Sequence, residues 1–147
     1  IAQCLVGSEM CIRDRYKGVE FMHIEHIAIW TKDLEKMRAF YERYFGTKSS
    51  EKYTNPKTRF QSYFLSFPTG GRIELITKPF LSDRSVDTLG YAHLALAVGT
   101  KEDVDSFAER FIADGYPLLS GPRTTGDGYY EAVIQDPEGN FIELTAG

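Results

Sequence analysis

Cysteine, tryptophan and long apolar runs are scarce in this chain of 147 residues. It contains two cysteines and one tryptophan, and both cysteines lie within the first 11 residues. No apolar run approaches the ~18 residues that span a bilayer. The net charge of −4 offers no basic surface for nucleic acid or anionic lipid. The sequence therefore argues against a disulfide scaffold, a membrane protein and a nucleic-acid-binding protein, and its length fits one domain.

The first 21 residues differ in character from the rest of the chain. The stretch CLVGSEMCIRDR within them resembles translated sequencing-adapter DNA. A secretory signal is the competing interpretation, but polar residues interrupt the apolar ones and no basic segment precedes them. We expect residues 1–21 to be non-native or disordered, with the native protein beginning at Met22. Residues 22–147 then form a single domain without cysteine, which favours a cytoplasmic location.

Histidine and glutamate recur at matched places in the two halves of the chain. His26 and Glu74 in the first half correspond to His93 and Glu143 in the second, at offsets of 67 and 69 positions. Imidazole nitrogen and carboxylate oxygen are ligands of divalent transition metals. The doubled pair therefore predicts one metal site built from both halves, and its chemistry suits Ni, Co, Zn, Mn or Fe(II).

The first half predicts a strand, a helix and then a hairpin. Residues 23–30 alternate as a strand does, and a helix follows that Asp33 caps and Gly46 ends. After a polar connection, residues 59–67 and 72–77 form two strands around a turn. The helix carries one apolar stripe, which we expect to pack on the sheet. The stripe consists of Leu34, Met37, Phe40, Tyr41 and Tyr44.

The second half repeats this order. Residues 91–98 predict a strand, and Thr100 with Asp103 resembles a capping box at the start of a helix. Residues 129–135 and 141–145 predict the closing hairpin. The apolar stripe of this helix consists of Val104, Phe107, Ala108, Phe111 and Ile112.

Strand register places the four predicted ligands on comparable faces. Each points away from the aliphatic residues that a covering helix would bury. An ionised carboxylate on a buried face costs several kcal/mol unless it is paired or coordinated. A lone histidine or glutamate on a strand is usually an ordinary polar residue, but four at equivalent repeat positions favour a metal site. His23 has no counterpart in the second half, so we expect it at the surface, together with Asp127 and Glu131.

Several segments, in order, resemble one known superfamily. HIAIWTKDLEKMRAFYERYFG, RIELI, YAHLALAV and DPEGNFIEL are similar to the glyoxalase/bleomycin-resistance/extradiol-dioxygenase superfamily, the vicinal oxygen chelates. The resemblance covers residues 22–147 and implies an α+β fold of two βαβββ modules, about 22–78 and 91–147. It further implies a curved, cup-like mixed sheet with helices on the outside. The first and last strand of each module would hold the metal, at His26, Glu74, His93 and Glu143.

Glutamate at position 74 narrows the implied activity. Extradiol dioxygenases and fosfomycin-resistance enzymes typically lack a carboxylate ligand there, and methylmalonyl-CoA epimerases usually have glutamine. The resemblance therefore implies a glyoxalase I-type lyase or isomerase with one divalent metal ion per site. The alternatives are an epimerase-like isomerase, an Fe(II) extradiol-type dioxygenase and a bleomycin-resistance-like binding protein. Trp30 and Lys78 stand where glutathione-using bacterial relatives have arginine and asparagine, which speaks against glutathione as the cosubstrate.

The implied reaction moves a proton through an enediolate of a substrate with vicinal oxygens, such as a methylglyoxal–thiol hemithioacetal. Glu143 is the first choice for the base, with Glu74 as its counterpart. We expect a homodimer, and the connection of about a dozen residues, 78–90, permits a cup from one chain or from two. Arg123 lies on a predicted loop beside the second half-site. The candidates for substrate contact are Arg59, Tyr63, Lys78, Arg123, Tyr129 and Tyr130.

Overall fold

A computed structural model describes residues 23–83, 85 and 89–147 of the chain. The predictions for residues 1–21 lie outside this part. The first module contains one helix and five strands. Its elements are β1 (His26–Trp30), α1 (Leu34–Phe45), β2 (Lys48–Ser49), β3 (Tyr53–Thr54), β4 (Gln61–Ser66) and β5 (Arg72–Thr77).

The second module repeats the arrangement with one helix and four strands. No helix within the described residues is long and apolar enough to cross a membrane. The elements of this module are β6 (His93–Gly99), α2 (Lys101–Ala113), β7 (Leu118–Thr124), β8 (Tyr130–Gln135) and β9 (Phe141–Ala146).

Each module has its own mixed sheet, which confirms the predicted α+β class. The first sheet has the order β1-β5-β4-β2, with β3 beside β4, and the second has the order β6-β9-β8-β7. The first and last strands of each module pair in parallel, β1 with β5 and β6 with β9. The strands β1 and β6 are therefore the outer strands of two separate sheets, and these are the strands that carry His26 and His93.

Helix α1 forms where its caps and its apolar stripe predict it. The Asp33 side chain accepts a hydrogen bond from the Lys36 amide at 2.9 Å, and Gly46 ends the helix in the left-handed conformation. All members of the predicted stripe are buried. Residues 47–58, predicted as a polar connection, also contain the short strands β2 and β3.

Helix α2 differs from its prediction at one position. Thr100 and Asp103 form the expected capping box, and Val104, Ala108 and Phe111 are buried. Ile112 is 55% exposed, so its place in the buried stripe was wrong. Successive residues of a helix are about 100° apart around its axis, so Ile112 points away from the sheet against which Phe111 packs.

Aromatic side chains from both helices join the modules into one hydrophobic core. The rings of Tyr44 in α1 and Phe111 in α2 stack with centroids 4.4 Å apart. Phe40 packs against Phe111 at 5.9 Å and against Tyr116 at 5.3 Å. Such pairs add about 0.5–1.5 kcal/mol each beyond the area they bury. The two modules are therefore expected to unfold together.

The turn between β8 and β9 contacts the start of α1 in the other module. Both carboxylate oxygens of Glu138 accept hydrogen bonds from the Lys32 amide at 2.9 Å, and one accepts from the Asp33 amide at 2.6 Å. A carboxylate at this end of a helix also interacts favourably with the helix dipole. Glu138 therefore helps to fix the orientation of one module against the other.

Replacing Glu138 by alanine should lower the free energy of unfolding by about 1 kcal/mol, because partly exposed amides lose a charged acceptor. Urea denaturation at fixed protein concentration measures this change. Glu51→Ala is the control, since Glu51 is exposed, and it should change stability by less than ~0.5 kcal/mol. Equal effects of the two substitutions would contradict the bridging role of Glu138.

Candidate metal centre

The first half-site lies on the face of the first sheet that points away from α1. Glu74 in β5 pairs with Ala28, two residues from His26 in β1, so the two side chains are diagonal neighbours. The Nε2 atom of His26 lies 3.9 Å from Oε2 of Glu74. Parallel pairing of the first and last strand thus brings together residues that are far apart in sequence.

The other ring nitrogen of His26 is held by its chain neighbour. Nδ1 of His26 forms a short hydrogen bond with the Glu25 carboxylate, and Arg72 forms an ion pair with the same carboxylate. Hydrogen bonds from His26 and then Arg72 lower the pKa of Glu25. The His26 ring also packs edge-on against Phe64. A carboxylate on Nδ1 leaves Nε2 free to bind a metal, as in carboxylate–histidine–metal arrangements.

The second half-site repeats this geometry. Glu143 in β9 pairs with Ala95, two residues from His93 in β6. The Nε2 atom of His93 lies 3.6 Å from Oε2 of Glu143. Burial, followed by the neighbouring carboxylate of Glu131, raises the pKa of Glu143. A carboxylate that holds its proton more tightly is the stronger base.

Glu131 was predicted at the surface, and the structure corrects this. Its strand β8 places it opposite Thr145 and on the face of Glu143, where it is only 8% exposed. Arg123 pairs with Glu131 at 3.4 Å and lies in β7, where the sequence predicted a loop. The strand register that turns Val133 toward Glu143 also turns Glu131 to that face.

The donor atoms of each pair fit one divalent ion. Ligands about 2.1 Å from an ion in tetrahedral geometry lie about 3.4 Å apart. The separations of 3.9 Å and 3.6 Å approach this distance and need only small side-chain movements. Within residues 23–83, 85 and 89–147, however, no three His, Cys, Asp or Glu side chains come close enough to hold one ion. The structure therefore brings the predicted ligands together as two pairs, and the convergence of all four stays a prediction.

A cleft of about 700 Å³ lies beside the outer strands β1 and β6. Its walls include the end of β1, the start of β6 with His93, and the turn that carries Glu138. Tyr91, from the connection between the modules, also lines it and is exposed. The cleft leaves the unpaired edge of each outer strand accessible.

Tyr63 and Tyr130 were predicted to contact substrate, and the structure places both on the helix side of their sheets. Tyr63 pairs with Leu75, and its hydroxyl donates to Glu35 of α1 at 3.0 Å. Tyr130 donates to Asp105 of α2 at 2.7 Å. The alternation of a strand sends these side chains away from the face of the predicted ligands, and each satisfies its hydroxyl against the covering helix.

The other predicted contact residues are exposed. The ammonium group of Lys78 lies 4.7 Å from the centre of the Trp30 ring. Arg59 has a positive φ of 60° in the loop before β4, and Tyr129 is 59% exposed. His23 and Asp127 are exposed as expected. Of the predicted substrate-contact residues in the first module, Lys78 lies beside a ring on the ligand face.

Sequence reasoning missed two carboxylates, Glu25 and Glu131. Glu25 directly precedes the predicted ligand His26, and an acidic residue at this position could have indicated a hydrogen bond to the imidazole. Glu131 could have been found by extending the register of the hairpin back from its turn at residues 136–139. Both residues influence a predicted ligand without belonging to the repeat.

The model of the Glyoxalase/Bleomycin resistance protein/Dioxygenase superfamily matches residues 23–144. The uncharacterised protein YqjT of Bacillus subtilis is 28% identical in an alignment of 134 residues that covers 84% of this chain and 98% of that protein. A lactoylglutathione lyase of Schizosaccharomyces pombe is 26% identical in an alignment of 143 residues that covers 86% of this chain. The chain spans 46% of that lyase.

A solved structure shows the same fold. The trypanothione-dependent glyoxalase I of Leishmania major superposes with a TM-score of 0.69 and 23% identity. The match covers 85% of this chain and 86% of that one. Similarity at this level supports the two-module architecture.

Proposed function

This chain belongs to the Glyoxalase/Bleomycin resistance protein/Dioxygenase superfamily, and we propose that it is a divalent-metal-dependent lyase or isomerase of the glyoxalase I type. The observation that carries the proposal is the repeated pair of donors. In each module a histidine Nε2 faces a glutamate Oε2 on the sheet face opposite the helix, at 3.9 Å and 3.6 Å. The fold itself does not require a histidine–glutamate pair in each module, whereas a metal site with four ligands requires both pairs.

A second copy of the chain completes the site in this proposal. His26 and Glu74 of one copy would meet His93 and Glu143 of the other. The outer strands β1 and β6 are available for this, because each has one unpaired edge within the described structure. Exposed apolar residues of the intervening connection, Phe80 and Leu89, would gain cover in the same assembly.

The roles of the chain's residues follow from their surroundings. When bound, a divalent ion supplies Lewis-acid polarisation of two vicinal substrate oxygens and acidifies the adjacent C–H group. Glu143 takes that proton and returns it to the neighbouring carbon, aided by the burial and the Glu131 carboxylate that raise its pKa. Glu25 keeps the His26 ring oriented with Nε2 toward the site.

Metal-free protein titrated with Ni, Co, Zn or Mn should bind one ion per chain, in a dimer with two sites. Elemental analysis after gel filtration, with light scattering for the mass, measures both quantities. His93→Ala should abolish stoichiometric binding, while His23→Ala, at an exposed histidine outside the pairs, should leave it unchanged. Unchanged metal binding by His93→Ala, or no metal binding by the parent protein, would contradict the proposed site.

Turnover then separates the activities. The metal-loaded protein is assayed with methylglyoxal and either glutathione or another low-molecular-weight thiol, and formation of a 2-hydroxyacyl thioester is expected. If metal binds and no thiol supports turnover, the glyoxalase I reaction is excluded. Oxygen consumption with catechols would instead identify a dioxygenase.

A further inference from the structure

The ligand face of the first module extends beyond its metal donors in ordered rows. Residues that pair directly across strands project from the same face of a sheet. Ala28, Glu74 and Phe64 form one such row across β1, β5 and β4. The next row lies two residues further along the strands, about 6.6 Å away. It consists of Trp30, Ile76, Ser62 and Tyr53.

This next row presents exposed aromatic rings over a buried floor. Trp30 is 47% exposed and Tyr53 is 54% exposed, whereas Ile76 and Ser62 beneath them are buried. Phe60 fills the space between the two rings, 6.4 Å from Trp30 and 6.3 Å from Tyr53. We call Trp30, Tyr53 and Phe60 the aromatic row. Its rings meet at 87° between Trp30 and Phe60 and at 59° between Phe60 and Tyr53, and together they form an apolar surface one row from Glu74.

The charges around the aromatic row are positive. Lys78 lies over the Trp30 ring, and Lys57 and Arg59 are in the loop that carries Phe60. None of these three cations has a carboxylate within ion-pairing distance among residues 23–83, 85 and 89–147. Lys52, by contrast, is paired with Glu35. An apolar surface edged by unpaired cations is complementary to an apolar group that bears a negative charge.

The second module shows that the fold does not require this surface. The row equivalent to Trp30 contains Ala97, Thr145, Glu131 and Arg123. Its members are small or polar, and its acid and base neutralise each other at 3.4 Å. The two modules keep the same histidine and glutamate pair but differ in the adjoining row. The aromatic row therefore adds something to one half-site that packing alone does not explain.

We propose that the aromatic row and Lys78 form the subsite for a planar aromatic substituent that carries a carboxylate, attached to the reacting carbons of the substrate. This inference rests on the proposed function, because it assumes that the reacting carbons of the substrate lie beside Glu74. The ring of the substituent packs against Trp30 and Phe60, and its carboxylate pairs with Lys78. The separation of one row, about 6.6 Å, is close to the span from a reacting carbon across one aromatic ring to a carboxylate at its far end.

Trp30 is the one tryptophan of the sequence, so its fluorescence reports on this subsite directly. The probe is 4-carboxybenzoylformate. Two control compounds are used: benzoylformate, which has the ring without the distal carboxylate, and pyruvate, which has no ring. All are titrated into the full chain in EDTA. We expect saturable quenching by 4-carboxybenzoylformate, about tenfold weaker binding of benzoylformate, and no saturable change with pyruvate.

Lys78→Met should weaken 4-carboxybenzoylformate binding about tenfold and leave benzoylformate binding unchanged. Lys101→Met is the matched control, because Lys101 lies over the Tyr130 ring at 5.3 Å on the far side of the other module, and it should change neither affinity by more than twofold. Equal effects of the two lysine substitutions, or equal binding of pyruvate, would overturn the subsite.

The titration in EDTA separates this inference from the proposed function. Quenching that depends on Lys78 supports the subsite even in a protein that binds no metal, which would then be a small-molecule-binding protein. Stoichiometric metal binding without such quenching overturns the subsite and leaves the proposed function standing.

Discussion

Glu143→Gln should lower kcat by about 10²–10⁴-fold, because it removes the group that accepts and returns the proton. Glutamine keeps the size of the side chain and one carbonyl oxygen, so metal content should fall far less than activity. The measurement is kcat with whichever thiol supports turnover, together with the metal-to-protein ratio of the same sample. A deficit in kcat at full metal occupancy is the signature of a lost base.

Glu109→Gln is the matched control for this substitution. Glu109 is exposed on α2, and its replacement should change kcat by less than twofold. Glu74→Gln completes the comparison, since Glu74 occupies the equivalent repeat position and is the counterpart candidate. If Glu143→Gln keeps more than a tenth of the parent kcat while Glu74→Gln does not, the base is Glu74 and the two roles exchange.

The fold could be predicted from sequence because its determinants are local. Asp33, Gly46 and Thr100 set the helix ends through contacts with residues a few positions away. Alternation within β5 and β9 decided which face Glu74 and Glu143 occupy. Strand β7 was missed because its Gly-Pro segment interrupts the alternation, and its pairing with β8 contains register shifts.

The candidate site could be predicted only as far as the repeat extends. The two histidine–glutamate pairs follow from parallel pairing of first and last strands, which both modules share. The positions of Tyr63 and Tyr130 depend on hairpin register, and one residue of register decides between the ligand face and the helix face. Their hydroxyl partners Glu35 and Asp105 lie on helices, and no sequence spacing predicts such a contact.

The asymmetry of the two modules has a consequence for how substrate selectivity arises. The two proposed metal-binding pairs have the same composition, so in the proposed site they would not distinguish the two ends of a substrate. The aromatic row on one side and the neutralised Arg123–Glu131 pair on the other can do so. Selectivity would then depend on positions where the two modules differ, such as Trp30 and its counterpart Ala97.

Phe111→Ala should lower the free energy of unfolding by about 3–5 kcal/mol, since a fully buried aromatic side chain leaves a cavity that its neighbours cannot fill. Phe111 stacks on Tyr44 of the other module, so the loss weakens the junction between modules as well as α2. Urea denaturation, followed by circular dichroism at a fixed protein concentration, measures it.

The neighbouring substitution Ile112→Ala provides the matched control. Ile112 is on the same helix but 55% exposed, so its truncation should cost less than ~1 kcal/mol. The contrast between adjacent residues separates the shared aromatic core from the helix itself. Similar costs for both substitutions would mean that Ile112 packs against a surface beyond the single chain. Two separate transitions in Phe111→Ala, against one in the parent protein, would show that the aromatic contacts are what make the modules unfold together.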